Sequence, residues 1–321
     1  MSATATDDAT VSRRLEALGG SVSIQASGPG AGPAVERAEA AIRDLQQRLT
    51  RFEPESELCR LNSDPRETVE ASPIMLRFAA EAVMAGHLSG GLVDATCLDA
   101  VEAAGYTRSL GRSPVSGSVA GLASRPTAGS VSPGGPDPRR RWMSVSVDPR
   151  RGVLTRPVGT RLDSGGIGKG LAADVAAEQM GDLELFAVDC VGDIRFGGTG
   201  GFERQILIDS PDPGAGPVGS IRQTAGAVAT SGVTRRSWID PDGGTAHHLI
   251  DPASGRPART GVLQVTALAP TGVEAEVRAK AALLSGRRRA AEWLTHGGVI
   301  VFDDHRVLAV GIESFSEGPP G

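Results

Sequence analysis

The segment SGGIGKG, Ser164 to Gly170, constrains this chain more than any other. It follows a strand-like run and opens the helical pattern LAADVAAEQM. Glycines let the backbone approach a partner closely. A helix N-terminus behind them offers unpaired N–H groups and positive potential, and Lys169 adds a full charge. The combination suits a pyrophosphate. In a purely structural role the same glycines would serve a tight strand-to-helix packing. The segment is not a Walker A loop, which needs glycine at 163 and Ser or Thr at 170, where Asp163 and Gly170 stand. It is not a GxGxxG dinucleotide fingerprint either.

The elements around this turn predict an α+β fold, mixed sheets with packed helices, because strands and helices do not alternate strictly. VSIQA (22–26) reads as a strand. Pro33 opens a helix with Val35, Ala38, Ile42, Leu45 and Leu49 at helical spacing. Ser72-Pro73 caps another, with Met75, Phe78, Ala79, Ala82 and Val83 on one face. WMSVSVDPRRGVLTR reads as two strands around a turn, and FAVDCVGDIRFGG and LQVTALAP as strands. Helices are expected over 272–285 and 287–296. The domain reading is a disordered 1–13, one unit over 14–310 with a mobile Ser/Gly/Pro-rich insertion at 110–140, and a flexible tail at 311–321.

A chain of 321 residues with 40% hydrophobic content can bury a sizeable core. A net charge of −5 argues against gripping nucleic-acid backbone. No apolar run is long enough to span a membrane. Three scattered cysteines, Cys59, Cys97 and Cys190, read as reduced buried thiols. The polar N-terminus shows no signal peptide or lipobox, so a cytoplasmic setting is expected. The bases are nearly all Arg: the lysines are Lys169 and Lys280, and Asn62 and Tyr106 are the sole residues of their types.

Other clusters carry candidate chemistry. Thr230 and Ser231 precede His248 and Asp251, where a histidine and a carboxylate three residues apart could move a proton. Asp251 could equally cap its own turn before Pro252. Glu276 and Lys280 fall at i,i+4 on the expected helix and read, by themselves, as a surface ion pair. Phe52, Ser56 and Asn62 lie in RFEPESELCRLN, where hydroxyl and amide could read a heterocycle edge or cap a helix. Leu92 and Val93 precede Asp94, a carboxylate in an apolar stretch that needs partners.

Taken in order, these segments resemble the ApbE family of FAD:protein FMN transferases. RFEPESELCRLN is similar to the family's Y-x-P-x-S-x-L-S-x-L-N, GGLVDAT to G-x-x-D-x-T, and RLDSGGIGKGLAADVAA to D-x-G-G-I-A-K-G-x-A-A-D. VDCVGDIRFGG resembles N-x-G-G-D-I, ATSG resembles T-S-G, and HHLIDPASGRPA resembles H-x-I-D-P-x-T-G-x-P. EALGGSVSI looks like the opening AMGT segment. The resemblance implies an ApbE-like flavin transferase fold. It also implies transfer of FMN from FAD to a Ser or Thr hydroxyl of a partner flavoprotein, in a D-G-x-S/T-G-A-T type segment, with release of AMP.

By the same resemblance, Leu18, Phe52 and Asn62 would lie near the flavin. Leu92, Val93 and Asp94 would hold the adenosine part, and Asp163 and Lys169 the ribose and pyrophosphate. Ser56, Asp193, Thr230, Ser231 and Ile250 complete the implied FAD site. His248 would approach the scissile phosphate, oriented by Asp251, with Lys280 the third catalytic group. The family's Mg²⁺ would fall to Gly166, Glu276 and Ala279. Here, however, Lys280 takes a ligand position of the D-A-x-x-T pattern, and its ammonium is expected to replace the ion in part. Two other outcomes share this pocket: an FAD pyrophosphatase giving FMN and AMP, and a non-catalytic FAD-binding protein with a decayed metal site.

Overall fold

The computed structural model describes residues 10–108, 131–239 and 245–318. The chain opens with β1 (Val11–Ala17), β2 (Gly20–Ser27), α1 (Ala31–Leu49), α2 (Glu57–Ser63), β3 (Thr68–Glu70), α3 (Pro73–Leu88) and α4 (Leu98–Ala103). Next come β4 (Ser146–Asp148), β5 (Val153–Thr155), α5 (Gly168–Ala177), β6 (Leu185–Cys190), β7 (Asp193–Gly197), β8 (Arg204–Ile208) and β9 (Gly219–Gln223). The remainder is β10 (Gly226–Gly232), β11 (Ser237–Ile239), β12 (Thr245–His247), β13 (Ile250–Asp251), β14 (Arg256–Pro257), β15 (Val262–Ala269), α6 (Gly272–Ser285), β16 (Gly298–Phe302), β17 (Val307–Val310) and β18 (Ser316–Glu317).

Eight strands form one sheet in the order β1-β2-β6-β7-β10-β15-β16-β17. Every neighbouring pair in it is antiparallel. With no parallel crossover to cover, the class is α+β, as expected. α1 packs against β1 and β2, α5 against β6 and β7, and α6 against β10 and β15. The three helices touch in the order α1, α5, α6. β15 is buried at every position, because α6 covers one face and β8–β9 the other. Ala227, Ala229, Ala269 and Ala275 fill the first contact. Phe196, Ile206, Ile221, Val228 and Leu268 fill the second. Small residues under α6 bring its N-terminus close to the sheet and to α5.

That closeness is reinforced by Asp174 in α5. Its carboxylate accepts from the Gly272 and Val273 amides at 2.7 and 2.9 Å. It so caps the start of α6 with charge-assisted bonds worth about 1.5–3 kcal/mol each. α1 buries the face expected of it, Val35, Ala38, Ile42, Leu45 and Leu49. Ser72 caps α3 by accepting from the Met75 amide at 3.3 Å.

Several expectations need correction. Of the terminus read as disordered, 1–9 lie outside the described residues, but Val11 to Arg13 pair with Ala26 to Ile24 as the start of β1. Alternation there is carried by Leu15 and Ala17, too far along for the polar opening to reveal it. Of the 110–140 insertion, 110–130 lie outside the described residues. Residues 132–135 are fixed: Ser132 N donates to Arg259 O and Gly134 N to Leu284 O. In the tail, 319–321 lie outside the described residues, while Ser316 and Glu317 pair with β9. The helix expected over 287–296 is a short 3₁₀ turn, Ala290–Trp293. Only Cys190 is a fully buried thiol, and Cys59 and Cys97 are half-buried.

Candidate functional site

A cavity of about 710 Å³ opens where the C-terminus of α1, the turn into α5 and the β12–β13 connection meet. Leu18, Phe52, Ser56, Leu92, Val93, Asp94, Asp163, Gly166, Lys169, His248, Ile250 and Lys280 all line it. A second cavity of about 720 Å³ lies beside it and takes in Thr230 and Ser231. Lys169, His248 and Lys280 stand in the wall common to both. Of the expected residues, these fourteen are brought together in the cavity walls from segments spread over the chain.

The shared wall follows from the two helix starts. The Gly170 amide donates to Glu276 Oε2 at 2.9 Å. Glu276 Oε1 holds Lys280 Nζ at 2.6 Å. Glu276 is 1% and Lys280 7% exposed, so this is a buried pair, not the surface pair the spacing suggested. Lys169 Nζ lies 2.7 Å from Asp193 Oδ2, and Asp193 Oδ1 accepts from the Thr230 amide at 3.2 Å. Burial pushes the Asp193 carboxyl up from its ordinary value, and Lys169 opposes it. Asp193 thus acts from behind Lys169 and does not itself line either cavity.

Two carboxylates face the first cavity with an oxygen left over. Asp94 Oδ1 accepts from the Thr96 amide and hydroxyl, both at 2.7 Å. Its Oδ2 has no hydrogen-bond partner among the described residues, and neither has Asp163 Oδ1. Arg51 Nε lies 3.4 Å from that Asp163 oxygen. Burial raises both carboxyls from the ordinary value. Buried acceptors of this kind cost free energy unless a donor arrives, and sugar hydroxyls or an exocyclic amine are such donors.

Around the mouth, Tyr106 stacks on Trp238, with centroids 5.6 Å apart and planes at 25°. It meets Phe52 edge-on at 5.8 Å and His248 at 6.4 Å. The Arg51 guanidinium lies 4.4 Å from the Phe52 centroid and 4.5 Å from that of Tyr106. Sequence reasoning missed Arg51 and Trp238, and it marked Tyr106 only as the sole tyrosine. His248 Nδ1 lies 3.4 Å from the Arg236 carbonyl. That partner favours the Nδ1–H tautomer and leaves the Nε2 lone pair available. Burial pushes the His248 imidazolium well below its ordinary range, so the ring is neutral at pH 7.

Four expectations fail on geometry. Asp251 does not orient His248: its Oδ1 accepts from Gly135 N at 2.8 Å and Ala253 N at 3.2 Å, and its Oδ2 from Ser254 N at 3.2 Å. It caps its turn. Asn62 does not line either cavity. Its amide donates to Leu162 O and accepts from Leu162 N, both at 2.8 Å, pairing as a strand would and fixing the backbone next to Asp163. Ala279 is fully buried in the core and presents no side-chain donor. The magnesium set does not fit. Both Glu276 oxygens are engaged, an ammonium stands beside them, and the described residues hold no cluster of three or more His, Cys, Asp or Glu suited to a metal. Gly166 lines the cavity and has no side chain to offer a metal.

Known proteins resemble this chain. A "FAD:protein FMN transferase" of Treponema pallidum is 30% identical over 182 residues, 51% of this chain and 50% of that protein. The chain thus matches about half the length of that relative. One of Haemophilus influenzae, of the same name, is 23% identical over 280 residues, 83% of this chain and 77% of that protein. The crystal structure of an ApbE protein from Thermotoga maritima superposes with a TM-score of 0.75 at 24% identity, covering 94% of this chain and 97% of that one. The flavin transferase ApbE from Vibrio cholerae gives 0.69 at 20%, covering 94% and 97%. These likenesses show the fold. A sequence profile of the ApbE family matches residues 18–302, and this chain belongs to the ApbE family.

Proposed function

We propose that this chain transfers FMN from FAD to a Ser or Thr hydroxyl of a partner flavoprotein, releasing AMP. The observation that carries the reading is the common wall: Lys169, His248 and Lys280 separate one cavity sized for a dinucleotide from a second that an acceptor segment can enter. In this reading Asp94 takes donors of the adenosine part and Asp163 those of the ribose. Leu18, Phe52 and Tyr106 flank the flavin. Lys169, at the start of α5, and Lys280 neutralise the phosphates.

The reaction joins the acceptor oxygen to the flavin-side phosphorus and breaks the bridging P–O bond, whose electron pair leaves with AMP. The hydroxyl proton passes to Nε2 of His248, the ring nitrogen left free by the Arg236 carbonyl at Nδ1. An acceptor carrying a D-G-x-S/T-G-A-T type segment and a cytoplasmic, thiol-reducing setting belong to the same reading, the latter supported by three free cysteines. No helix among the described residues is long and apolar enough to cross a membrane.

Incubation with FAD and such an acceptor, followed by intact-mass analysis, tests this. Covalent FMN on the acceptor with AMP in solution supports it. Free FMN and AMP would make the chain a pyrophosphatase, and intact bound FAD a carrier.

A further inference from the structure

Lys280 is the hub of the site's charges. Its ammonium sits 2.6 Å from Glu276, and its field also reaches Asp163 before α5, Asp193 on β7 and His248 after β12. It faces both cavities from the buried side of α6. Each buried carboxylate nearby has a cation of its own: Arg51 for Asp163 at 3.4 Å, Lys169 for Asp193 at 2.7 Å, Lys280 for Glu276. Each carboxylate oxygen of Glu276 already accepts a hydrogen bond, one from the Gly170 amide and one from the Lys280 ammonium. Mg²⁺ demands near-octahedral oxygen at about 2.0–2.1 Å, and a charged ammonium cannot stand in that shell.

We propose that the Lys280 ammonium is the site's own cation at the dinucleotide phosphates, so that this chain binds and turns over FAD without a divalent metal. The inference rests on the transferase reading. Lysine suits the task because its ammonium is a compact point charge with three donors on a stem that α6 holds in place. One donor stays on Glu276, which keeps the charge aimed, and the others are free to meet phosphate oxygens. The desolvation cost of burying this ion is offset by Glu276 before FAD arrives.

The test compares FAD binding by flavin fluorescence, turnover after exhaustive EDTA treatment, and Mn²⁺ binding by electron paramagnetic resonance. The wild-type protein is expected to bind FAD in EDTA, to turn over within about twofold of its rate with Mg²⁺, and to leave the Mn²⁺ signal unchanged. Lys280→Thr, which frees Glu276 Oε1, is expected to lose turnover by about a hundredfold in EDTA and to acquire a bound-Mn²⁺ signal. If that variant does not fold, the wild-type arms decide alone. FAD binding with turnover that vanishes in EDTA and returns only with Mg²⁺ overturns this inference and leaves the transferase standing. Failure to bind FAD with or without metal overturns both.

Discussion

Gly170 of α5 and Gly272 of α6 meet backbone to backbone: a Cβ on Gly170 would stand 2.4 Å from the Gly272 carbonyl oxygen. The contact brings both lysines to one wall, since Lys169 precedes Gly170 and Lys280 follows two turns after Gly272. Gly170→Ala pushes a methyl into main chain that Asp174 holds by two hydrogen bonds. The helices must part, at a cost of about 1–3 kcal/mol. A lower urea midpoint and weaker FAD binding are expected together. An unchanged midpoint would show that the helices part freely.

The β6–β7 hairpin turns through Val191 and Gly192, with φ of 60° and 92°. Two positive φ values in a two-residue loop suit glycine and asparagine, and they strain a β-branched residue. The turn persists because Asp189 Oδ1 accepts from the Gly192 amide at 2.6 Å and the strands are paired on both sides. Val191→Gly relieves strain of about 1–3 kcal/mol and gives back part of it as chain entropy. A net gain of about 1 kcal/mol is expected in chemical denaturation, and a loss of stability would refute the strain.

How much of this was legible beforehand depends on the reach of each interaction. The Gly-rich turn, α6 and the caps of α2 and α3 were readable because their signals are local: Ser56 accepts from Cys59 N and Ser72 from Met75 N, three residues on. Asn62 was misassigned because its partner, Leu162, is a hundred residues away. Trp238 was invisible for the same reason, since its ring finds Tyr106 only in the folded chain. Glu276 and Lys280 showed their pairing through i,i+4 spacing, but burial depends on what covers the helix. Asp251 carried two readings from the start, and Gly135, reached across the chain, selected the cap.

Acid should weaken the fold through its adjacent histidines. His247 Nε2 pairs with Ala258 O at 2.8 Å and its Nδ1 accepts from Leu249 N at 3.3 Å, and burial pushes its pKa from 6.5 down to about 4. His248 is lowered as well. Below pH 6.5 the unfolded chain takes up protons that the folded chain refuses, so stability falls as pH drops from 6.5 towards 4. His247 alone is worth about 3 kcal/mol over that window. Asp163 and Asp193, raised by burial, oppose the trend, because the folded state protonates them first. The difference between wild type and His247→Gln isolates the histidine: the variant's stability should fall less between pH 6.5 and 4. Identical pH profiles would refute the assignment. Because His248 stays neutral, turnover should show no histidine step near pH 6.5.

Asp94 should trade stability against binding. It is a mostly buried carboxylate whose Oδ2 lacks a hydrogen-bond partner among the described residues, and burial raises its pKa. Asp94→Asn keeps the shape, keeps an acceptor for the Thr96 amide and hydroxyl, and removes the charge. Relief of desolvation should stabilise the ligand-free fold by about 1 kcal/mol. The same change replaces an acceptor with an amide donor where the adenosine part needs an acceptor, so FAD affinity should fall about tenfold or more. Melting without ligand and FAD titration by fluorescence read the two effects separately. A variant that loses stability and keeps its affinity would make Asp94 a structural cap and remove it from the site.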